Sequence, residues 1–403
     1  MKKIAVIFEE NVFDRKGAFN AKCARVKHLA DLTGWKIDVY CIQLYQNAFV
    51  SSVLGHRSIW IPGEGLVAEK DLRGRKSITL DGLELNLVWK DYSVLDHLLF
   101  YKLHLRPAVY PGFLERNASL LEGYDAVAAH SFVGAYIARE AKKRYGIPYY
   151  ITWHGSDIHS TPFRHPQIKE LTAELMIEAK VNCFVSAGLM FISDRIGGGN
   201  KTVLHNGCGE AFIRFDEQRR KALRSSFGVE GRKVVTFAGN LMPVKNPESL
   251  PEIFRTVQER MSQKVEFWVV GDGKSRSKVE TAMNSIESVS CRFWGNLPPE
   301  RMPEIFNCTD VLVLPSRNEG LPLVVAEAAG CGAAVVAARV GGVPEILDDE
   351  YTVEPGPGFE AAMAEKIVLY LCQPCGQPLK ELFDWERTAR REKEIIESIT
   401  ADV

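Results

Sequence analysis

Two glutamates eight positions apart are the residues of this chain that most directly suggest chemistry. Glu319 precedes a Gly-Leu-Pro turn and Glu327 follows it. A carboxylate inside a helix can accept hydrogen bonds from a neutral polyol such as a ribose, as in dinucleotide-binding folds. The spacing alone is also compatible with solvated surface around a packing turn. The elements around the pair therefore decide its interpretation.

The flanking segments predict a strand, a loop and a helix. Asp310 to Leu314 is an apolar run typical of a buried parallel strand, and Leu321 to Ala329 has helical composition. Pro322 suits the first helical turn because its missing N–H costs nothing there. The free N–H groups from Gly320 to Leu323 and the positive helix end would then face the loop, where they could bind a phosphate.

The whole segment resembles the E-x7-E motif of the retaining glycosyltransferases of family 4. The resemblance includes Gly-Leu-Pro-Leu after the first glutamate and Gly341-Gly342-x-Pro-Glu after the next predicted strand. It implies that Glu319 contacts the transferred sugar and that Glu327 contacts the nucleotide ribose. It also implies an α/β GT-B fold, with two doubly wound Rossmann-like domains facing across a cleft.

A lysine lies beyond another predicted strand end, in the segment Phe237 to Asn246. Lys245 could be an ordinary surface lysine or a ligand of a diphosphate. The segment resembles the family motif G-R-L-x-x-x-K-G, which implies that Gly239, Asn240 and Lys245 line the donor phosphates. Asn240 stands where the family has arginine, and Asn246 where it has glycine. One of two expected cations is therefore missing, since an amide does not stabilise developing charge as a guanidinium does.

A histidine follows a third predicted strand, in Tyr150 to Asp157. A lone histidine at such a place is more often a packed or surface residue than a catalytic one. The segment resembles the family element T-x-H-G, with matches at Thr152, His154 and Gly155. The resemblance implies that His154 contacts the sugar. We expect Asp157 beside it in the cleft, with His130 as a weaker candidate.

Two further segments resemble family elements less closely. The loop from Asn11 to Gly17 keeps only Gly17 of a glycine-rich donor turn, and its Arg15 and Lys16 could compensate for Asn240. The segments Val270 to Gly273 and Cys291 to Gly295 are implied to lie along the base. Phe293 and Trp294 could stack on that base or simply belong to the core.

The chain begins two β-α-β units at similar spacing. The first has predicted strands Lys3 to Phe8 and Trp35 to Ile42 around a helix from Ala18 to Leu32. The second has strands Lys233 to Ala238 and Val265 to Val270 around a helix from Glu248 to Arg260. We therefore predict two α/β domains, of residues 1–204 and 205–385. The resemblance implies that the first is the N-terminal acceptor-side domain and the second the donor-binding domain, and that the amphipathic helix at residues 386–403 returns to the first.

Composition excludes several classes of protein. A length of 403 residues suits two domains, and a formal net charge of −1 disfavours a nucleic-acid binder. The nine scattered cysteines suit a reducing cytoplasm, and the close pair Cys372 and Cys375 lacks the second pair that a zinc site would need. We expect no metal, no cofactor, no signal peptide and no membrane-spanning segment.

The resemblance implies metal-independent transfer with retention of anomeric configuration. The predicted transferred group is a hexose or N-acetylhexosamine from a nucleotide-diphosphate sugar, with UDP favoured. The acceptor would be a saccharide or a lipid-linked saccharide in surface polysaccharide synthesis. The alternatives are a non-catalytic nucleotide-sugar-binding subunit or another GT-B enzyme, such as a sugar-nucleotide epimerase. The segment from Leu54 to Arg116, rich in aromatic and basic residues, predicts either a peripheral contact with the inner face of the membrane or a packed helix pair.

Overall fold

A computed structural model describes residues 1–13, 17–46, 58–61, 63–92, 95, 98, 109–373 and 383–401. Several residues of the segments considered above lie outside these ranges, including Arg15 and Lys16, Leu54, the aromatic and basic residues Phe100, Tyr101, Lys102 and Arg106 between Leu54 and Arg116, and Cys375. The compensation for Asn240 that was expected of Arg15 and Lys16 therefore stays a prediction.

Strands and helices alternate along most of the chain. The strands are β1 Lys3–Glu9, β2 Lys36–Gln46, β3 Ser58–Ile61, β4 Gly65–Ala68, β5 Ser77–Leu80, β6 Leu83–Tyr92, β7 Ala126–His130, β8 Tyr149–Trp153, β9 Val181–Phe184, β10 Lys201–Val203, β11 Lys233–Ala238, β12 Val265–Val270, β13 Ser290–Gly295, β14 Val311–Leu314, β15 Ala334–Ala338 and β16 Thr352–Val353. The α-helices are α1 Gly17–Thr33, α2 Glu69–Leu72, α3 Val109–Asn117, α4 Ser131–Tyr145, α5 Ser156–His159, α6 Thr161–Arg164, α7 Pro166–Glu178, α8 Ala187–Ser193, α9 Glu217–Ser226, α10 Leu250–Arg260, α11 Arg276–Asn284, α12 Met302–Cys308, α13 Leu323–Gly330, α14 Val343–Ile346, α15 Phe359–Cys372 and α16 Trp385–Ala401. Short 3₁₀ helices cover Ala118–Leu121, Pro243–Lys245, Pro247–Ser249, Pro299–Arg301 and Asp349–Tyr351.

The chain divides into two compact units. Unit 1 comprises Met1–Val185, Leu189–His205 and Trp385–Val403, and unit 2 comprises Ser186–Gly188 and Asn206–Asp384. Each unit is built around its own sheet of mostly parallel strands, and both sheets are flanked by helices. The predicted α/β class is confirmed.

Unit 1 contains an eight-stranded sheet in the order β10-β9-β8-β7-β1-β2-β6-β5. All pairings are parallel except that of β5 with β6. Every residue of β7, β8 and β9 is buried, as expected for strands covered on both faces. The strand order reverses beside β1, so the loops after β1 and β7 flank a topological switch point, where α/β sheets bind ligands.

The expectation of a packed helix pair in the segment 54–116 is wrong for most of its described part. β3 and β4 form an antiparallel hairpin, and β5 and β6 join the main sheet. The residues of β3 alternate, with Ile59 and Ile61 buried and Trp60 63% exposed, which is the period-two pattern of a strand. Among the described residues of this segment, α3 is the one helix that spans more than one turn.

Unit 2 contains a six-stranded parallel sheet in the order β13-β12-β11-β14-β15-β16. The predicted strands at Lys233–Ala238 and Val265–Val270 are confirmed. The order reverses between β11 and β14, so this unit has its own switch point there. The loops that carry Lys245 and Glu319 follow these two strands.

Candidate functional site

The loops on either side of the unit 2 switch point are joined to each other. β11 pairs with β14 in parallel, so the carboxyl ends of both strands reach the same edge of the sheet. The backbone N–H of Arg317, after β14, donates to the carbonyl of Val244, after β11, at 2.8 Å. The Arg317 guanidinium also donates to the Asn246 side chain at 3.0 Å. The two loops therefore form one surface.

Lys245 and Glu319 form an ion pair on this surface. The Lys245 Nζ lies 2.7 Å from each carboxylate oxygen of Glu319. The Glu319 side chain is 6% exposed and that of Lys245 is 24% exposed. Ser316 donates its hydroxyl to Glu319 at 2.6 Å, so three hydrogen bonds fix this carboxylate. The sequence predicted site roles for Lys245 and Glu319 but not for Ser316. Its position three residues before Glu319 was the one feature of the sequence that could have pointed to Ser316.

Two consecutive glycines in the loop after β15 pack directly against the backbone of the Glu319 loop. Gly341 has a φ of +53°, and a Cβ there would lie 1.8 Å from the carbonyl oxygen of Glu319. A Cβ on Gly342 would lie 2.2 Å from the carbonyl oxygen of Gly320. The loop after β15 can approach this closely only because neither residue has a side chain. The Gly-Gly pair therefore sets the position of the loop that carries Glu319.

The loop after β11 is also approached closely by a glycine of a neighbouring loop. The N–H of Gly239 donates to the carbonyl of Val270 at 3.0 Å, and a Cβ on Gly271 would lie 2.0 Å from the Gly239 carbonyl oxygen. Asn240 is half-buried, and within the described ranges its side-chain amide makes no hydrogen bond. No cation occupies its position, so Lys245 is the positively charged residue of the Gly239–Lys245 stretch.

Helix α13 begins two residues later than the sequence predicted. Pro322 is its N-cap, with φ −78° and ψ 93°, and the helix runs from Leu323 to Gly330. The extended ψ of Pro322 excludes it from the first turn, which corrects the predicted placement. Counting only acceptors in the described part of the chain, the N–H groups of Gly320, Leu321 and Leu323 are unpaired. These groups at the helix start suit an anion.

Glu327 lies in α13, one helical turn from its end. The residue is half-buried, and desolvation of its carboxyl group raises the pKa to about 7. No described residue donates a hydrogen bond to this carboxyl group. A desolvated carboxylate without a protein donor is suited to accept hydrogen bonds from the hydroxyls of a neutral ligand.

In unit 1, His154 and His130 lie together at the carboxyl ends of β8 and β7. The Nδ1 atom of His130 is 2.9 Å from the Nε2 atom of His154. Asp157 accepts from the backbone N–H groups of His154, at 3.2 Å, and Gly155, at 2.7 Å. Its carboxylate therefore shapes the turn after β8.

Gly17 is the first residue of α1. It is exposed, and a Cβ there would lie within 4 Å of no atom of the described residues. Steric crowding therefore gives no reason for a glycine at this position, in contrast to Gly341.

The structure favours a core role for Trp294. Its ring packs edge-on against Trp268 and Phe227, with centroids 5.3 and 5.4 Å away. Trp268 is fully buried in β12. These aromatic contacts hold the edge strand β13 on the sheet.

The described residues contain no group of three or more histidine, cysteine or acidic side chains arranged to hold a metal ion. Within the same residues, no helix is long and apolar enough to cross a membrane. The eight cysteines in the described ranges are free thiols.

Residues 232–373 match the family model for glycosyl transferases group 1. The chain is 30% identical over 252 residues to the D-inositol 3-phosphate glycosyltransferase of Saccharomonospora viridis, covering 56% of this chain and 57% of that protein. It is 27% identical over 225 residues to the putative teichuronic acid biosynthesis glycosyltransferase TuaC of Bacillus subtilis, covering 56% and 55% respectively. The matches thus span little more than half the length of these relatives.

Solved structures match over essentially the whole chain. Sucrose-phosphate synthase from Thermosynechococcus elongatus aligns with a TM-score of 0.75 at 16% identity, covering all of both chains. Anabaena Alr3699/HepE, solved in complex with UDP and glucose, aligns with a TM-score of 0.69 at 17% identity, covering 99% of this chain and 100% of that one. The chain has the GT-B fold, and its residues 232–373 match the glycosyl transferases group 1 family.

Proposed function

We propose that this protein is a retaining glycosyltransferase. It transfers a hexose or N-acetylhexosamine from a nucleotide-diphosphate sugar, with UDP favoured, to a saccharide or lipid-linked acceptor in surface polysaccharide synthesis. The observation that carries the proposal is the Lys245–Glu319 pair at a switch point, beside N–H groups at the start of α13 that no described residue accepts from. The match of residues 232–373 to a glycosyltransferase family supports it.

The proposal assigns the donor site to the domain of residues 205–385. Lys245 and the N–H groups of the Gly320-Leu321-Pro322-Leu323 turn hold the diphosphate, and Gly239 and Asn240 pass close to it. Glu327 accepts from the ribose hydroxyls, and Glu319 contacts the transferred sugar. Residues 1–204 with 386–403 form the acceptor-side domain, in which His154 contacts the sugar and Gly17 lies near the donor phosphate.

The chemical step breaks the bond between the anomeric carbon and the diphosphate oxygen. A bond forms on the same face between that carbon and an acceptor hydroxyl oxygen, and the hydroxyl proton passes to the leaving phosphate. Negative charge then grows on the diphosphate, where Lys245 and the helix start are aimed. Preorganised donors of this kind are the largest catalytic contribution that the geometry supports. Correct placement of the acceptor hydroxyl supplies much of the rest.

In this proposal Lys245 supplies the positive charge that a metal ion supplies in other transferases, so neither a metal nor a cofactor takes part. The nucleotide sugar and the acceptor are the partners, and nucleic acid is not one. We place the protein in the cytoplasm, with peripheral contact at the inner face of the membrane when the acceptor is lipid-linked.

Lys245→Ala tests the proposal. We expect turnover to fall by about 10²–10³-fold, the scale of losing one preorganised donor. Lys264→Ala is a matched control, because Lys264 is exposed and directly precedes β12, at the opposite edge of the sheet. Release of nucleotide diphosphate with purified acceptor panels measures the rate.

Unchanged turnover in Lys245→Ala would overturn the phosphate assignment. Tight binding of nucleotide sugar without transfer to any acceptor would instead indicate a non-catalytic binding subunit. Conversion of the donor to its epimer would indicate an epimerase. The glycosyltransferase relatives favour neither of these alternatives.

A further inference from the structure

The resemblance implies a sugar contact for His154 alone, but the structure pairs His154 with His130. The two rings stack with centroids 5.2 Å apart and an interplanar angle of 24°. His130 ends β7 and is 1% exposed, whereas His154 follows β8 and is half-buried. Of the two, His154 is therefore the one placed to touch a ligand.

The surroundings of both imidazoles favour their neutral form. Burial lowers the pKa of His130 and of His154 well below the usual value, and the nearby charges of Lys22 and Arg25 lower both further. These cations are themselves held in place by partners. Lys22 is buried and paired with Glu10, and Arg25 donates to Thr152 and to the carbonyl of Leu204, each at 3.2 Å.

The charged groups near the pair come from several elements. Lys22 and Arg25 lie on α1, and Asp157 follows β8. Glu10 after β1 pairs with Lys22, and Glu392 on α16 lies 3.9 Å from Arg25. The two cations act on the imidazoles directly, and Glu10 and Glu392 balance them.

The backbone and the neighbouring side chains around His130 constrain its position. Ser131, directly after His130, has a φ of +59°, which side chains rarely adopt. Gly134 lets α4 approach β1 so closely that a Cβ would lie 2.4 Å from the Ile7 carbonyl oxygen. The His130 ring also packs edge-on against Phe8, with centroids 6.0 Å apart. The His130 ring therefore has little freedom to turn away from His154.

A neutral imidazole carries one proton, so one ring of the pair must donate and the other must accept. The Nε2 atom of His154 is used in this hydrogen bond. Its Nδ1 atom is the ring nitrogen left for a ligand, and no described residue bonds to it.

We propose that His130 is a positioning residue, which fixes the tautomer and the ring orientation of His154. His154 then hydrogen-bonds a neutral sugar hydroxyl through Nδ1, as a dipole rather than as an acid. The identity of the ligand rests on the proposed function, whereas the shared proton within the pair does not.

Three substitutions of His130 test the proposal. The amide of His130→Asn can occupy the place of Nδ1, whereas the longer side chain of His130→Gln carries its amide past that place. His130→Phe keeps a planar ring without a hydrogen-bonding atom. The readout is the ¹⁵N signal of the His154 ring nitrogens from pH 5.5 to 8, in protein without substrate, with melting temperatures to confirm folding.

We expect wild type and His130→Asn to show one neutral His154 tautomer over the whole range. His130→Gln and His130→Phe should show mixed neutral tautomers of His154, because burial, Lys22 and Arg25 still hold its pKa low. The donor KM should rise about tenfold in these two variants, with His130→Asn close to wild type. If His130→Phe fails to fold, the Asn and Gln variants still make the comparison.

An unchanged single tautomer in folded His130→Gln and His130→Phe would overturn the positioning role. Altered tautomers with an unchanged donor KM would instead show that His154 positioning holds but that the sugar contact is wrong. These two failures are distinct, because the first is measured without any nucleotide sugar.

Discussion

Asn246 differs from the motif that its segment resembles, yet it adopts the backbone conformation that the glycine of that motif would favour. Its φ of +50° and ψ of 42° lie in the left-handed region, which favours the glycine of the motif. Asparagine tolerates this conformation better than most other side chains. The replacement at Asn240 is different in kind, because it removes a charge. The sequence reveals both replacements, but only the backbone conformation shows that the first is conservative.

Glu327→Gln should change stability in a pH-dependent way. The pKa of this carboxyl is raised to about 7 in the folded protein, so its protonated form stabilises the fold. That contribution is complete below the unfolded pKa and is lost as the pH rises through about 7. We therefore expect the free energy of unfolding at pH 8 to rise by about 1–3 kcal/mol in Glu327→Gln, and by much less at pH 5.

Urea denaturation at the two pH values measures this change. Glu365→Gln on α15 is the control, because that glutamate is exposed. An equal effect of Glu327→Gln at pH 5 and pH 8 would contradict a raised pKa. Nucleotide affinity should fall in the same variant, since an amide replaces one acceptor oxygen with a donor.

At the scale of elements, the sequence predicts best where periodicity is strong. β11 and β12 match their predicted bounds because both are continuous apolar runs. α13 starts later than predicted because Pro322 adopts an extended conformation that composition does not reveal. The predicted helix from Glu248 begins with the 3₁₀ turn Pro247–Ser249 and becomes α-helical at Leu250. In both cases the loop before the helix decides where it begins.

For the candidate site, too, the sequence predicts some features and not others. The residue types at Lys245, Glu319 and Glu327 were visible in the sequence, whereas the hydrogen bond between His130 and His154 depends on the distance between two strand ends. The close approach of Gly341 to Glu319 also depends on packing between loops. Contacts of this kind join residues that are far apart in the chain, and local patterns carry no information about them.

Gly341→Ala should destabilise the protein far more than Gly358→Ala. Both glycines have a positive φ, at +53° and +78°, so both substitutions introduce similar backbone strain. Only Gly341 places its new Cβ against another atom, the Glu319 carbonyl oxygen, whereas nothing lies within 4 Å at Gly358. We expect a loss of about 1 kcal/mol for Gly358→Ala and about 3 kcal/mol or more for Gly341→Ala.

Urea denaturation measures the two losses, and donor binding should weaken only in Gly341→Ala. Equal losses of stability in the two variants would show that the Glu319 loop can move aside without cost.

At the scale of the whole molecule, unit 1 is assembled from both ends of the chain. α16 packs against α1, and its Ile395, Ile396 and Ile399 join the core of this unit. Glu392 on the same helix is buried and accepts from the Tyr150 hydroxyl at 2.6 Å. The sequence indicated an amphipathic helix here, but the partner of its apolar face came only from the resemblance.

Glu392→Ala should destabilise unit 1 specifically. Removing this carboxylate takes away the acceptor of the buried Tyr150 hydroxyl and the negative charge 3.9 Å from Arg25, which costs about 3–5 kcal/mol. Glu394→Ala is the control, since Glu394 forms an exposed pair with Arg391 and should matter by less than about 0.5 kcal/mol. Hydrogen exchange should show lost protection in β1, β7 and β8, with β11, β12 and β14 unchanged. Uniform loss of protection in both units would contradict this division.

The melting temperature of the protein with UDP, GDP and ADP sugars tests the assignment of unit 2 as the donor site. A ligand that binds only the folded state stabilises it by about 2.7 kcal/mol at a hundred times its Kd. We expect one of the three kinds of nucleotide sugar, with UDP sugars favoured, to raise the melting temperature of wild type and of Lys264→Ala by several degrees. The same sugar should raise the melting temperature of Lys245→Ala by much less. The same rise in Lys245→Ala, or no rise with any of the three classes, would contradict the proposed donor site.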